Sequence, residues 1–293
     1  MTELAPPRSL RAIADPQTPC KICGSGSPLF DVVDFHEDCY EPDGRRLPLS
    51  GIPVYYHRCP GCGFLFTRQF DNRDVADFAG PGADAPGAAW SPGPVERRAR
   101  SDLALLRGWF GEELGALRIL VLGNVRLANL LNESGCTADC RDPGNAEIPL
   151  DGPDGHYDTI LVFEILERVA DPHSLMRGID QSMVPDGVLL LSTRLSDGSD
   201  TSAMGTRRRP LCGVSPRMGQ ISIYSATSLA LILGTAGFRL AGTRQGVHIG
   251  LRARPAFARH LFPDWAGGWA ATKPFQSSAS IGLSNAAKYI DKR

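Results

Sequence analysis

Between Tyr157 and Thr193 the chain reads YDTILVFEILERVADPHSLMRGIDQSMVPDGVLLLST, a succession that restricts the fold more than any other stretch. Thr159 to Phe163 is a short apolar run of the kind needed by a strand buried on both faces. It ends on Glu164, at the position where the carboxyl ends of parallel strands usually meet ligand. Asp171-Pro172 supplies a helix start, with Asp as N-cap and Pro at the first helical position. Leu175, Met176, Ile179 and Met183 recur at helical spacing, which predicts one face packed on a sheet. Pro185, Asp186 and Gly187 read as a turn, and Val188 to Leu191 as the start of another buried strand. Strand, helix and strand in about 35 residues fit a right-handed parallel crossover.

Four of the eight cysteines carry the second signal. Cys20-Lys-Ile-Cys23 and Cys59-Pro-Gly-Cys62 are two CxxC knuckles, each followed by glycine (Gly24 and Gly63). This spacing lets both sulfurs of a pair reach one tetrahedral ion while the turn amides point at the thiolates. A structural Zn2+ bound by Cys20, Cys23, Cys59 and Cys62 is the preferred reading, with a redox pair as the alternative. Sulfur would fill all four positions, so the metal would stabilise a small domain and leave no open site for chemistry. Val32 to Phe35 and Val54 to His57, between the knuckles, suit paired strands. Cys39, Cys136, Cys140 and Cys212 lack such pairing and read as plain thiols.

The formal net charge of −1 argues against a chain built to bind nucleic acid or anionic membrane. No apolar run approaches the length of a membrane span, and the N-terminus lacks the apolar centre of a signal peptide. A cytoplasmic setting with reduced thiols is therefore expected. Residues 79–94 are rich in Gly, Ala and Pro and read as a linker. A helix is predicted from Val95 to Phe110, with Leu103, Leu105, Leu106 and Trp109 on its apolar side. Arg97, Arg98 and Arg100 on that helix could meet an anionic substrate or form a solvated face. Ile119 to Leu122 suit a first sheet strand, Gly123 the turn after it, Ala128 to Leu131 part of a helix, and Thr137 to Cys140 a second strand. In nucleotide-binding folds such a turn lets backbone approach the ligand and points a helix N-terminus at it. The expected divisions are thus 1–78, 79–94, 95–245 and 246–293.

With these segments in hand, the chain resembles class I S-adenosylmethionine-dependent methyltransferases that carry an N-terminal zinc-binding domain, a group that includes sugar C-methyltransferases. The resemblance rests on Tyr55-Tyr-His-Arg-Cys-Pro-Gly-Cys-Gly-Phe-Leu-Phe66, on VFEILERVADP at Val162 to Pro172, on VPDGVLLLST, and on Pro216-Arg-Met-Gly-Gln-Ile-Ser-Ile-Tyr-Ser225 with the helix ending in GF that follows. It implies an α/β fold, a doubly wound and mostly parallel Rossmann-like sheet, with a small N-terminal zinc-binding β domain. It also implies S-adenosylmethionine as cofactor and a small-molecule acceptor, a sugar or natural-product intermediate, with neither nucleic acid nor membrane as partner. Cofactor-binding positions carried over are Gly123 and Asn124 at the turn, Asp142 for the ribose hydroxyls, Glu147 and Ile148 at the adenine pocket, and Phe163 and Glu164 beside the methionine portion. Tyr224, Gln220 and Arg217 fall where proton handling, hydrogen bonding and anion clamping are expected. Only Gly123 remains of the glycine-rich loop, Arg168 stands where the family has His, and so does Gln220. A methyltransferase-like binding or scaffold protein without catalysis is the alternative from another class. His260, Phe262, Trp265 and Trp269 could cap the active-site mouth or pack on the zinc domain.

Overall fold

Apolar strands in parallel register organise the body of the molecule. The computed structural model describes residues 18–39, 45–71, 92–141, 157–196 and 214–261. Contacts divide the chain into Met1–Pro263 and Asp264–Arg293, and every described residue belongs to the first unit. Its elements begin with β1 (Thr18–Pro19), β2 (Gly26–Ser27), β3 (Leu29–Asp34), β4 (Pro53–Arg58) and β5 (Leu65–Phe66). Then come α1 (Pro92–Phe110), β6 (Arg118–Leu122), α2 (Val125–Glu133), β7 (Thr137–Arg141), β8 (Tyr157–Phe163), α3 (Pro172–Ser182) and β9 (Met183–Ser192). The order closes with β10 (Leu195–Ser196), β11 (Ser222–Ser225), α4 (Ala226–Thr235), β12 (Arg239–Arg244) and β13 (Val247–Leu251).

The main sheet has six strands in the order β12-β13-β9-β8-β6-β7. β7, β6, β8 and β9 run parallel, and β13 and β12 add antiparallel at the β9 edge. Ile160, Leu161, Val188, Leu189 and Leu190 are all fully buried, as central strands covered on both faces must be. Residues of one parity, Ile160, Val162, Leu189 and Leu191, share a core with Leu175, Met176 and Ile179 of α3 and Leu229, Ile232 and Leu233 of α4. Packing of α1 on α2, and of α3 on α4, gives the two helical layers of the expected doubly wound α/β fold. Asp171 caps α3 by accepting from the His173 and Ser174 amides at 3.0 and 3.1 Å. The turn expected at Pro185 to Gly187 lies within β9, where the register slips between Tyr157 and Thr159. At this irregularity Gly187 is required, because a Cβ there would overlap Met183.

Strand pairing crosses both interior boundaries drawn from the sequence. A second sheet has the order β10-β11-β5-β4-β3, so β10 and β11 from the body complete the sheet of the cysteine-bearing segment. The expected hairpin pairs β3 with β4. The body also runs past 245, because Gln245 (φ +51°) and Gly246 (φ +80°) form a two-residue turn of the kind that joins tight hairpins. That turn inserts the fully buried strand β13 beside β9. Of the expected linker, residues 79–91 lie outside the described residues.

Ser225 joins the two sheets' cores. Its hydroxyl donates to the Cys62 carbonyl at 2.5 Å and accepts from the Ser228 amide at 3.0 Å as N-cap of α4. Gly63 (φ +71°) must be glycine here, since a Cβ would stand 3.0 Å from Ser225 Cβ. Ser225→Ala is expected to cost about 1–2 kcal/mol by urea denaturation; a loss within about 0.5 kcal/mol, the range of an ordinary surface change, would contradict this joint.

Candidate functional site

The neighbouring parallel strands β6 and β8 end at one level. Val121 and Leu161 are register partners, so Gly123 lies level with Phe163, the buried last residue of β8. Gly123 takes φ +71°, a left-handed value that costs glycine little, and its amide donates to the Arg141 carbonyl at 2.8 Å. Asn124 is the N-cap of α2, its Oδ1 accepting from the Leu127 amide at 3.0 Å. Glu164 takes φ +56°, which is unfavourable for a residue with a side chain and frequent at functional sites. Its amide is held by the Ser192 carbonyl at 2.9 Å and the Ser192 hydroxyl at 3.1 Å.

Charges from α1 reach both strand ends. Arg98 Nη1 lies 3.0 Å from Glu164 Oε1, and Nε lies 3.2 Å from Asp102 Oδ1. Asp102 is buried, and burial raises its carboxyl although Arg98 acts the other way. At the start of α2, Val125 points into solvent, 62% exposed. Arg126 is drawn aside by Glu96 of α1 and by Glu133, two turns along its own helix, at 3.0 Å. Of Asn124, Val125 and Arg126, whose side chains stand where the resemblance implies bare backbone, the first caps α2, the second faces solvent and the third is held by surface partners. Asp142, Glu147 and Ile148 lie outside the described residues.

Tyr224, on β11 of the second sheet, is wholly buried. Its ring packs against Phe64 at 4.7 Å between centroids, and its hydroxyl has no hydrogen-bond partner among the described residues. Burial first, and then the charge of Glu167, push the phenol well above its ordinary range. Glu167, in the 3-10 turn after β8, has a buried Oε2 with no hydrogen-bond partner among the described residues, and burial raises its carboxyl as well. The Glu167 carbonyl accepts from the Ile221 amide at 3.0 Å and the Ser222 hydroxyl at 3.3 Å, which fixes this turn against β11. Gln220 Oε1 accepts from the Ser215 amide at 2.9 Å, and the Gln220 carbonyl accepts from the Tyr56 hydroxyl at 2.6 Å. Arg217 Nη1 stands 3.4 Å from His36 Nε2. Sequence reasoning missed Asp102 and Glu167. The first was signalled only by its i,i+4 spacing from Arg98, the second by its place just after a strand end.

The sulfurs of Cys20, Cys23, Cys59 and Cys62 all lie within 4.8 Å of one another. Cys20 and Cys62 approach to 3.6 Å, and Cys23 and Cys59 to 3.4 Å; four sulfurs about 2.3 Å from one tetrahedral ion would stand about 3.8 Å apart. Gly24 and Gly63 close the knuckles alike, donating to the Cys20 and Cys59 carbonyls at 2.9 and 2.8 Å. Hydrogen bonding with Cys62 holds the Cys20 thiol down at about 5. The set fits a thiolate-bound metal by distance and by donor chemistry. Lys21, inside the first knuckle, donates to Asp71 and to the Ala170 carbonyl, which links the cluster to the loop between β8 and α3.

No curated protein matches the chain. Among solved structures it is similar to CalO1, a methyltransferase in calicheamicin biosynthesis, at 20% identity over 54% of each chain with a TM-score of 0.36. It is also similar to TnmH, at 18% identity over 57% of this chain and 58% of the other, TM-score 0.38. An O-methyltransferase family protein from Burkholderia thailandensis shares 12% identity over 60% and 62%, TM-score 0.40. The chain thus spans little more than half the length of the first two. No helix among the described residues is long and apolar enough to cross a membrane. Residues 102–241, which carry four parallel strands of the α/β sheet, match a family model described as a methyltransferase domain.

Proposed function

We propose that this chain is an S-adenosylmethionine-dependent methyltransferase acting on a small molecule, a sugar or natural-product intermediate. The observation that carries the reading is the pair of left-handed residues, Gly123 and Glu164, at neighbouring strand ends inside the segment matched as a methyltransferase domain. The open surroundings of Val125 and the side contacts of Arg126 support it against a scaffold whose cofactor site is filled by its own side chains.

The cofactor, when bound, supplies an activated methyl on a sulfonium. The turn at Gly123 would admit backbone to close approach, with Asn124 holding the start of α2 toward the ligand. Phe163 and Glu164 would border the methionine portion. By the resemblance, Asp142 would take the ribose hydroxyls, and Glu147 and Ile148 the adenine. Proton handling falls to Glu167 and Tyr224. A carboxyl raised by burial is a stronger proton acceptor than an ordinary one, and a phenol raised by burial remains a donor. Their buried atoms without partners among the described residues are the kind that a polar ligand satisfies. Arg217 and Gln220, engaged with His36 and Ser215, are assigned to holding the loop before β11. The four cysteines would bind one Zn2+, which stabilises the N-terminal sheet and takes no part in the reaction.

Titration of S-adenosylhomocysteine into protein purified with zinc is expected to give one site of roughly micromolar affinity and one zinc per chain by metal analysis. Absence of binding at millimolar ligand would favour the non-catalytic scaffold. Tyr224→Phe removes a hydroxyl that has no hydrogen-bond partner among the described residues, so stability is expected to change by less than about 1 kcal/mol. Once an acceptor is in hand, kcat is expected to fall by about 100-fold or more; an unchanged kcat would remove Tyr224 from the mechanism. Because burial raises the Glu167 carboxyl, the folded protein binds more protons than the unfolded chain between the two values. Stability therefore falls as pH rises from the unfolded value, about 4.3, through the folded one. The urea midpoint of Glu167→Gln relative to wild type is accordingly expected to climb as pH rises from the unfolded value, and a constant difference would count against a buried acid.

A further inference from the structure

We infer that Arg98, Asp102 and Glu164 form the seat for the zwitterionic amino-acid end of the cofactor, with Arg98 taking its carboxylate; this rests on the S-adenosylmethionine reading above. The guanidinium lies between two carboxylates, 3.0 Å from Glu164 Oε1 and 3.2 Å from Asp102 Oδ1. One cation and two anions leave the cluster one negative charge in excess. A sulfonium bearing a zwitterionic amino acid carries one positive charge in excess, so the two sets neutralise each other.

Exposure and geometry assign the roles. The Arg98 and Glu164 side chains are each 49% exposed, whereas that of Asp102 is 12% exposed. Asp102 is therefore the fixed anchor that orients Nε, a positioning residue one helical turn along α1. Nε and Nη1 are engaged, and the two donors of Nη2 are the ones assigned to the ligand's carboxylate. Glu164 leaves β8 through its left-handed backbone, which turns its carboxylate toward α1. There it can exchange the guanidinium for the ligand's ammonium. A planar fork held on one edge by Asp102 suits bidentate recognition in a way that a lysine does not reproduce. Were Arg98 and Glu164 only a surface ion pair, their contact would be worth little and indifferent to the ligand.

The test compares S-adenosylhomocysteine with 5′-methylthioadenosine, which keeps the adenosine and sulfur but lacks the amino-acid end. Both are titrated into wild type, Arg98→Gln, Arg98→Lys and Glu164→Gln. In the wild type S-adenosylhomocysteine is expected to bind at least about 10-fold more tightly, and Arg98→Gln to shrink that preference by about 10- to 100-fold, the worth of charged hydrogen bonds. Affinity for 5′-methylthioadenosine should stay within about 2-fold, the scatter of near-neutral changes, which also shows that the variant is folded. Arg98→Lys and Glu164→Gln are expected to lose part of the preference. Equal weakening of both ligands in the Arg98 variants, or no change in the preference, overturns the assignment while leaving the cofactor reading intact. Failure of wild type to bind either ligand overturns the cofactor reading and this assignment together.

Discussion

One hydroxyl ties the cysteine cluster to the body. Ser225 donates to the Cys62 carbonyl while accepting from the first turn of α4, and Ser228 returns the bond to the Ser225 amide at 2.9 Å. The approach is close enough that position 63 tolerates no Cβ without displacement. Around it β5 pairs with β11, and Phe64, Phe66 and Tyr224 bury their rings in the same core as the cysteines and the central strands. The knuckles are therefore built into the fold. Metal-thiolate bonds there would brace β5, then β11, and through β11 the turn that carries Glu167.

At the other end of the same strands, backbone conformation and charge combine. Strands buried on both faces bring their carboxyl ends to one level. Gly123 and Glu164 leave those ends in left-handed conformations, one at little cost and one against the preference of its side chain. Strain of this kind persists only where neighbours hold it, and Ser192 holds the Glu164 amide twice. From α1, Arg98 reaches Glu164 and is held by Asp102, so charge gathers at the end of the apolar run of β8.

Local chemistry made much of this legible. Asp171-Pro172 announced the start of α3, the periodic Leu175, Met176 and Ile179 its buried face, and the CxxC spacing the meeting of four sulfurs. What escaped depends on tertiary contact. β5, β10 and β11 span only two to four residues, too few to show an alternating pattern, so the sheet shared between segments was not visible. The Gln245-Gly246 turn lacks the Asn-Gly or Asp-Gly signal of a tight hairpin, which hid β13. The pairing of Arg98 with Glu164 joins residues 66 positions apart, and only the tertiary placement of α1 beside α2 and the end of β8 brings them together. Asp142, Glu147 and Ile148 rest on the resemblance alone.

The central claim, that S-adenosylmethionine binds across the Gly123 and Glu164 strand ends, is tested most directly by amide hydrogen exchange with and without S-adenosylhomocysteine. Slower exchange is expected in segments spanning 95–102, 123–128 and 163–168, with β3 and β4 unchanged. Binding without protection in these segments, or protection confined to the N-terminal sheet, would contradict the claim.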